Sequence, residues 1–197
     1  MPDHIDPEQE QGLVSRARDD PDALQALYRL YVRRIYGYVA SRINNRQDAE
    51  DVVSEVFLRM VRTLDRFSNR HGYSFAAWIF TIARNAVSDY YRDRRKTEVS
   101  VSPDALPQPR ADDPDAALSQ QEAAAELRRR VRALPERQRE VIVLRFFGGL
   151  CNGEIARVLE IDARTVASHL SRGLRTLRDA YTRVAEEEDE NGQTEQQ

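Results

Sequence analysis

Residues 48–67 read DAEDVVSEVFLRMVRTLDRF. Within them Val52, Val53, Val56, Phe57, Met60, Val61 and Leu64 recur at spacings of three and four, the period of one helix face. A half-buried strand alternates apolar and polar residues at every second position, and this stretch does not. The spacing predicts an amphipathic helix from about residue 46 to about residue 67. Its outer face has an order of its own: Asp48, Asp51, Glu55, Arg59 and Arg62 share one stripe, with Glu50 and Ser54 beside it. The stripe is acidic in its N-terminal half and basic in its C-terminal half, which suits the helix dipole and i,i+4 pairing. Such a face serves either as a self-satisfied solvated surface or as a docking site for a basic helical partner.

The neighbouring segments repeat the helical period. Asp20 followed by Pro21 is a cap and a first helical residue, so a helix should start there, with Leu24, Leu27, Tyr28, Tyr31, Ile35, Tyr38 and Val39 inward. A polar loop, SNRHGYS at 68–74, precedes a third helix over about 75–95, whose core face is Phe75, Ile79, Ile82, Ala83, Ala86 and Tyr90. Residues 97–120 hold four prolines and little to bury, and read as a linker, mobile and extended in part. Helical pattern resumes at 121–133, 136–147, 152–159 and 163–183. The architecture is all-α: two small helical domains, 20–96 and 121–183, on a flexible acidic linker. Residues 1–19 and 184–197 read as disordered acidic ends.

Charge is segregated along the chain. Residues 21–96 carry fourteen basic against eight acidic side chains, and residues 126–183 carry thirteen against seven, so each block is net +6. Acidic segments separate and flank them, and the whole chain sums to only -3. Two basic blocks of this size suit phosphate neutralisation and salt-dependent binding to nucleic acid. No apolar run approaches the roughly 18 to 20 residues of a membrane span, so no membrane insertion is expected. The acidic, polar N-terminus is the reverse of a secretory leader, and a cytoplasmic location is expected. The single cysteine, Cys151, cannot build a disulfide or a metal site alone. Neither spacing nor context joins Cys151 and His169 into a nucleophile set, so no catalytic residue, metal or cofactor is expected.

Two further faces suggest contact with DNA. Along the third helix Trp78, Thr81, Asn85, Ser88 and Arg92 lie opposite the core, with YRDRRK at 91–96 adding charge. Trp stacks well on an unpaired base, while Asn and Arg reach base edges or phosphates. The stretch NGEIARVLEIDARTVASHL at 152–170 reads as two short helices joined by a tight turn, with Asn152 and Asp162 as their caps. With Ile155, Ala156 and Leu159 buried in the first, and Val166, Leu170, Leu174 and Leu177 in the second, Arg164, Thr165, Ser168, His169, Ser171, Arg172 and Arg175 remain outward. The first turns of such a recognition helix enter the major groove, and later arginines meet backbone.

DAEDVVSEVFLRMVRTLDRF, FAAWIFTIARNAVSDYYRDRRK and LPERQREVIVLRFFGGL with the helix-turn-helix, in this order, resemble the extracytoplasmic-function (ECF) sigma factors of bacterial RNA polymerase. The likeness covers about residues 20–96 and 121–183 and implies sigma region 2 and region 4. It implies that Asp48, Asp51, Ser54, Glu55 and Arg59 face the clamp helices of the β′ subunit. It implies that Asn69, Arg70, His71 and Tyr73 belong to the loop that captures a flipped −10 base. Trp78, Arg84, Asn85, Ser88 and Arg92 would form the −10 recognition helix. Arg164, Thr165, Ser168, His169, Arg172 and Arg175 would read the −35 element. The implied partners are core RNA polymerase, through the β′ clamp helices and β flap, promoter DNA and an anti-sigma factor, the free chain being monomeric. The linker would thread toward the polymerase cleft.

Three departures qualify the likeness. Where housekeeping sigma factors carry an aromatic pair that props the duplex open, this chain has Thr81 and Ile82. Glu160 stands where the turn commonly has glycine, so the turn must tolerate a side chain or shift its backbone. The 151–156 and 164–170 segments also resemble LuxR-type regulators, a rival reading that needs a receiver or ligand pocket in residues 21–96. A nucleic-acid enzyme, the third reading, needs a catalytic set that these residues do not supply.

Overall fold

The computed structural model describes residues 6–68, 74–97 and 125–194, and all their regular structure is helical. The expected linker at 97–120 and the loop residues 69–73 lie outside the described residues, apart from Thr97. The chain divides into two compact units, Met1–Pro107 with Val143–Ala163, and Gln108–Ile142 with Arg164–Gln197.

The first unit opens with a helix where composition suggests an unstructured end: α1 spans Pro7–Arg16. Asp6 caps it, accepting from the Glu8 N–H at 3.4 Å, and Pro7 takes the first turn, where a missing N–H costs nothing. Val14 and Ala17 are buried as α1 lies along α2, which spans Pro21–Ala40. Two apolar contacts are too few to show as a periodic sequence pattern. Asp20 caps α2, as expected, accepting from the Asp22 N–H at 2.9 Å. The next helix, α3, spans Arg46–Thr63, ends in a 3-10 turn over Leu64–Arg66, and is capped by Asn45 accepting from the Asp48 N–H. Ser74 caps α4, Phe75–Thr97, by accepting from the Ala77 N–H.

The core follows from these faces. Leu27, Tyr31, Ile35, Tyr38 and Val39 of α2 meet Val53, Val56 and Met60 of α3 and Ile79, Phe80 and Ala83 of α4, all buried. Each large side chain removed from water contributes about 1.5–3 kcal/mol. Tyr38 meets Phe80 edge-on at 5.8 Å between ring centres. Three residues expected inward are not: Tyr28, Val61 and, in α8 below, Leu174 are 46%, 48% and 41% exposed. In the first unit Phe80 and Val87 of α4, not among the expected core residues, are buried. The same unit holds the C-terminal end of α6 (Glu136–Phe146) and all of α7 (Asn152–Leu159).

In the second unit, residues 125–133 belong to α5, and α8 spans Ala163–Thr194. The expected break at 183 does not occur: the backbone stays helical through the acidic segment to Thr194. Val131, Leu134, Val141 and Ile142 are buried, and Gly173 lies where any side chain would meet Ile142. Arg130 pairs with Glu126 and stacks on Tyr181 at 4.4 Å, linking α5 to α8. Donation from Arg129 and Arg130 holds the Glu126 carboxyl at about 2.

Candidate functional site

The outer face of α3 splits in two. Asp48 turns toward α4, accepting from the Tyr90 hydroxyl at 2.7 Å and from Arg94 at 2.9 Å. Burial, then the Asp48 carboxylate, pushes the Tyr90 phenol up to about 12, so it stays a donor. Arg59 also bridges the two helices, donating to Glu55 and to Asp89 of α4, each at 2.7 Å. These residues fasten α4 to α3, which sequence periodicity could not reveal because both partners are merely polar positions on separate helices. Asp51 and Ser54 are exposed and Glu55 half-buried, so the outward stripe is acidic. Leu58, not anticipated, falls in the same line at i+3 from Glu55 and is 51% exposed. With the exposed Val61 and with Tyr28, whose ring lies 4.7 Å from Phe57, it adds an apolar strip beside the acids.

On α4 the expected second face grades from half-buried to open. Trp78 and Thr81 are half-buried, and Asn85, Ser88 and Arg92 are exposed. Trp78 rests on Phe67 and Phe75, ring centres 5.1 and 5.3 Å away. This aromatic seat has a sequence trace only in hindsight, since Phe67 and Phe75 flank the loop rather than share a helix face. Thr81 hydrogen-bonds back to the Ala77 carbonyl and Ser88 to that of Arg84. Arg92 pairs with Asp89 at 2.7 Å, and Arg84 donates to the Val158 carbonyl of α7 at 3.2 Å. The remaining −10 candidates, Asn69, Arg70, His71 and Tyr73, lie outside the described residues.

The expected cap of α7 shifts by one residue. Cys151 takes the cap position, and its N–H donates to the Glu154 carboxylate at 2.8 Å, while Asn152 begins the helix. At the other end Glu160 adopts the left-handed region with φ 56°, and the Ile161 N–H closes the turn on the Ala156 carbonyl. Along α8, Arg164, Arg172 and Arg175 are exposed and Thr165 and Ser168 half-buried, with Arg172 donating to Ser168 at 2.6 Å. His169 is less open than expected: it is half-buried, its Nδ1 buried with no hydrogen-bond partner among the described residues. No three metal-ligating side chains converge among the described residues, and no helix there is long and apolar enough to cross a membrane.

Residues 27–97 match the family model of Sigma-70 region 2, and residues 124–177 that of Sigma-70, region 4. The ECF RNA polymerase sigma factor BldN of Streptomyces coelicolor is 36% identical over 169 residues, 84% of this chain and 63% of BldN. The chain thus spans less than two thirds of that relative. RNA polymerase sigma-H factor of Pseudomonas aeruginosa is 30% identical over 175 residues, 84% of this chain and 90% of its own. RNA polymerase sigma factor YlaC of Bacillus subtilis is 30% identical over 170 residues, 85% of this chain and 96% of its own. Among solved structures, the sigma factor RpoE of Bartonella quintana, in complex with the anti-sigma factor NepR, has a TM-score of 0.64 at 21% identity. That alignment covers 80% of this chain and 96% of RpoE, and at such identity it speaks for the fold.

Helical in all the regular structure of its described residues, the chain carries Sigma-70 region 2 and region 4 in order. It belongs to the sigma-70 family of RNA polymerase sigma factors, in the extracytoplasmic-function branch. A sigma factor gives core polymerase its promoter preference and performs no chemistry itself. The LuxR-type reading is not supported, because region 2 occupies the half of the chain where such a regulator would hold its sensor.

Proposed function

We propose that the chain is a dissociable promoter-specificity subunit that docks on core polymerase through the outward stripe of α3. The observation that carries this is the division of labour on that helix. Asp48 and Arg59 are spent on α4, while Asp51, Ser54 and Leu58 are exposed and the half-buried Glu55, paired with Arg59, completes an acidic and apolar line. An acidic stripe with an apolar centre fits basic helices such as the β′ clamp helices, the acids steering and Leu58 anchoring. Held beside it, α4 presents Trp78, Asn85, Ser88 and Arg92 to the −10 strand. Arg164 and Ser168 of α8 read the −35 bases while Arg172 meets the −35 backbone, and region 4 also meets the β flap. An anti-sigma factor would cover these faces; the structurally similar RpoE is in complex with one, NepR. The site of action is the cytoplasm.

Asp51→Arg with Glu55→Arg tests the docking claim. Core polymerase should no longer be retained on the immobilised chain, while circular dichroism stays helical. Retention at wild-type level would remove α3 as the docking face.

A further inference from the structure

Residues 7–20 lie outside both family-model matches, yet two contacts from this segment reach residues that connect to the Trp78 ring, one directly and one through Phe75. Arg18, in the turn between α1 and α2, donates from its guanidinium to the Phe67 carbonyl at 2.8 Å. The turn is held by the Asp19 and Asp20 N–H groups, both donating to the Arg16 carbonyl. Phe67 leaves the 3-10 turn in extended backbone and places its ring against Phe75 at 5.4 Å and Trp78 at 5.1 Å. The second contact runs from Glu10 of α1, which accepts from the Tyr31 hydroxyl. Tyr31 is fully buried and meets Phe75 edge-on at 5.3 Å, and Phe75 lies 5.3 Å from Trp78. Arg34 stacks over the Tyr31 ring at 4.6 Å, a further hold on that ring.

We propose that α1 and its turn are a positioning element for the −10 surface: Arg18, through Phe67, and Glu10, through Tyr31 and Phe75, set the Trp78 ring where an unstacked base can meet it. This rests on the reading of Trp78 as part of that surface. The physical need is plain. A half-buried indole on an aromatic seat has several stacked arrangements of similar energy, and base stacking rewards only one tilt. Phe67 lies past the end of the 3-10 turn and Phe75 opens α4, so the two rings of the seat stand on either side of the 69–73 segment. Arg18 and Glu10 supply two ties from outside, one to a backbone carbonyl and one to a phenol. Neither touches DNA; both are positioning residues.

Trp78 is the only tryptophan, so its fluorescence reports this site alone. Arg18→Ala and Tyr31→Phe in the full chain should shift Trp78 emission to the red and raise its quenching by acrylamide. Holoenzyme made with each variant should select altered bases from a duplex library randomised across the −10 element. Binding to the wild-type selected sequence should fall about threefold to tenfold, the fold-change for one hydrogen bond of ordinary strength. Retention of core polymerase and dependence on the −35 element should stay at wild-type values, and Arg18→Lys, which keeps a donor, should return toward wild type.

Unchanged emission and an unchanged −10 profile in both variants, with Trp78→Ala altering the profile, would overturn the positioning claim and leave the −10 surface standing. If Trp78→Ala itself leaves the profile unchanged, the surface reading fails and the positioning claim with it. A uniform loss of core retention, −35 dependence and −10 binding in Arg18→Ala and Tyr31→Phe would also overturn it, since α1 would then only support the fold.

Discussion

Glu160 has a left-handed backbone, the only non-glycine residue among those described to do so. An L side chain there costs about 1–2 kcal/mol, and its nearest compensation is a 3.6 Å pairing with Arg84 in which the carboxylate is 78% exposed. Such a pair is worth little in water. Glu160→Gly should therefore stabilise the fold by about 0.5–1 kcal/mol, part of the relief being lost to the freer unfolded chain. Urea unfolding followed by circular dichroism checks this, and a lower midpoint would mean that the Arg84 pairing outweighs the strain. This position was legible in the sequence, because a turn of that length asks for glycine and has none. Leu58 was not, since a helix of mixed composition gives no sign of which leucine it leaves outside.

Asp89 shows a residue whose role only the third dimension assigns. Donation from Arg59 holds its carboxyl below the ordinary value of 3.8. A carboxylate with a depressed folded pKa stabilises above its unfolded value of about 3.9 and loses that contribution as pH falls through the folded value. Asp89→Asn should cost about 0.5–1 kcal/mol near neutrality, and its stability should fall less steeply below about pH 4 than that of the wild type. Urea midpoints taken from about pH 7 to about pH 3 decide it, with parallel acid limbs counting against the assignment.

At the level of elements, the long amphipathic helices were readable because buried positions at three- and four-residue spacing leave a strong signal. The short α1 was not, being stabilised by a cap and by two buried side chains that no pattern announces. On α3, Leu58→Arg should weaken core binding by more than tenfold, an apolar anchor being replaced by a charge facing basic helices. Surface plasmon resonance against immobilised core polymerase measures it, and an unchanged dissociation constant would leave the acids alone responsible. On α8, Arg164→Ala should cost about 1–3 kcal/mol at a cognate −35 element and relax its base preference. Arg172→Ala should weaken all promoters alike, the arginine side chain donating to Ser168 and meeting backbone. A panel of −35 substitutions read by transcription in vitro separates the two.

Across the whole molecule, charge is the feature that composition hides. A net of -3 conceals two blocks of +6, and acidic segments sit between and beyond them. The basic blocks suit promoter contact, and acidic segments on the same chain would compete for them in the free state. Deleting residues 184–197 should raise the free chain's affinity for duplex DNA at low salt; equal affinity would remove that segment from the account. The two-region organisation was legible because each region brings its own helical pattern. Which polar residues serve the fold and which face outward was not, as Asp48 and Asp51 illustrate on a single helix.

In the proposed function α3 brings polymerase to a promoter that α4 then helps to open. Permanganate reactivity of unpaired thymines in a selected promoter, with core polymerase plus the chain, measures it directly. Reactivity should appear within the −10 element only when both are present, and should be absent with the Asp51→Arg, Glu55→Arg chain. Reactivity from that variant at wild-type level, or none from the wild-type holoenzyme on promoters it binds, would contradict it.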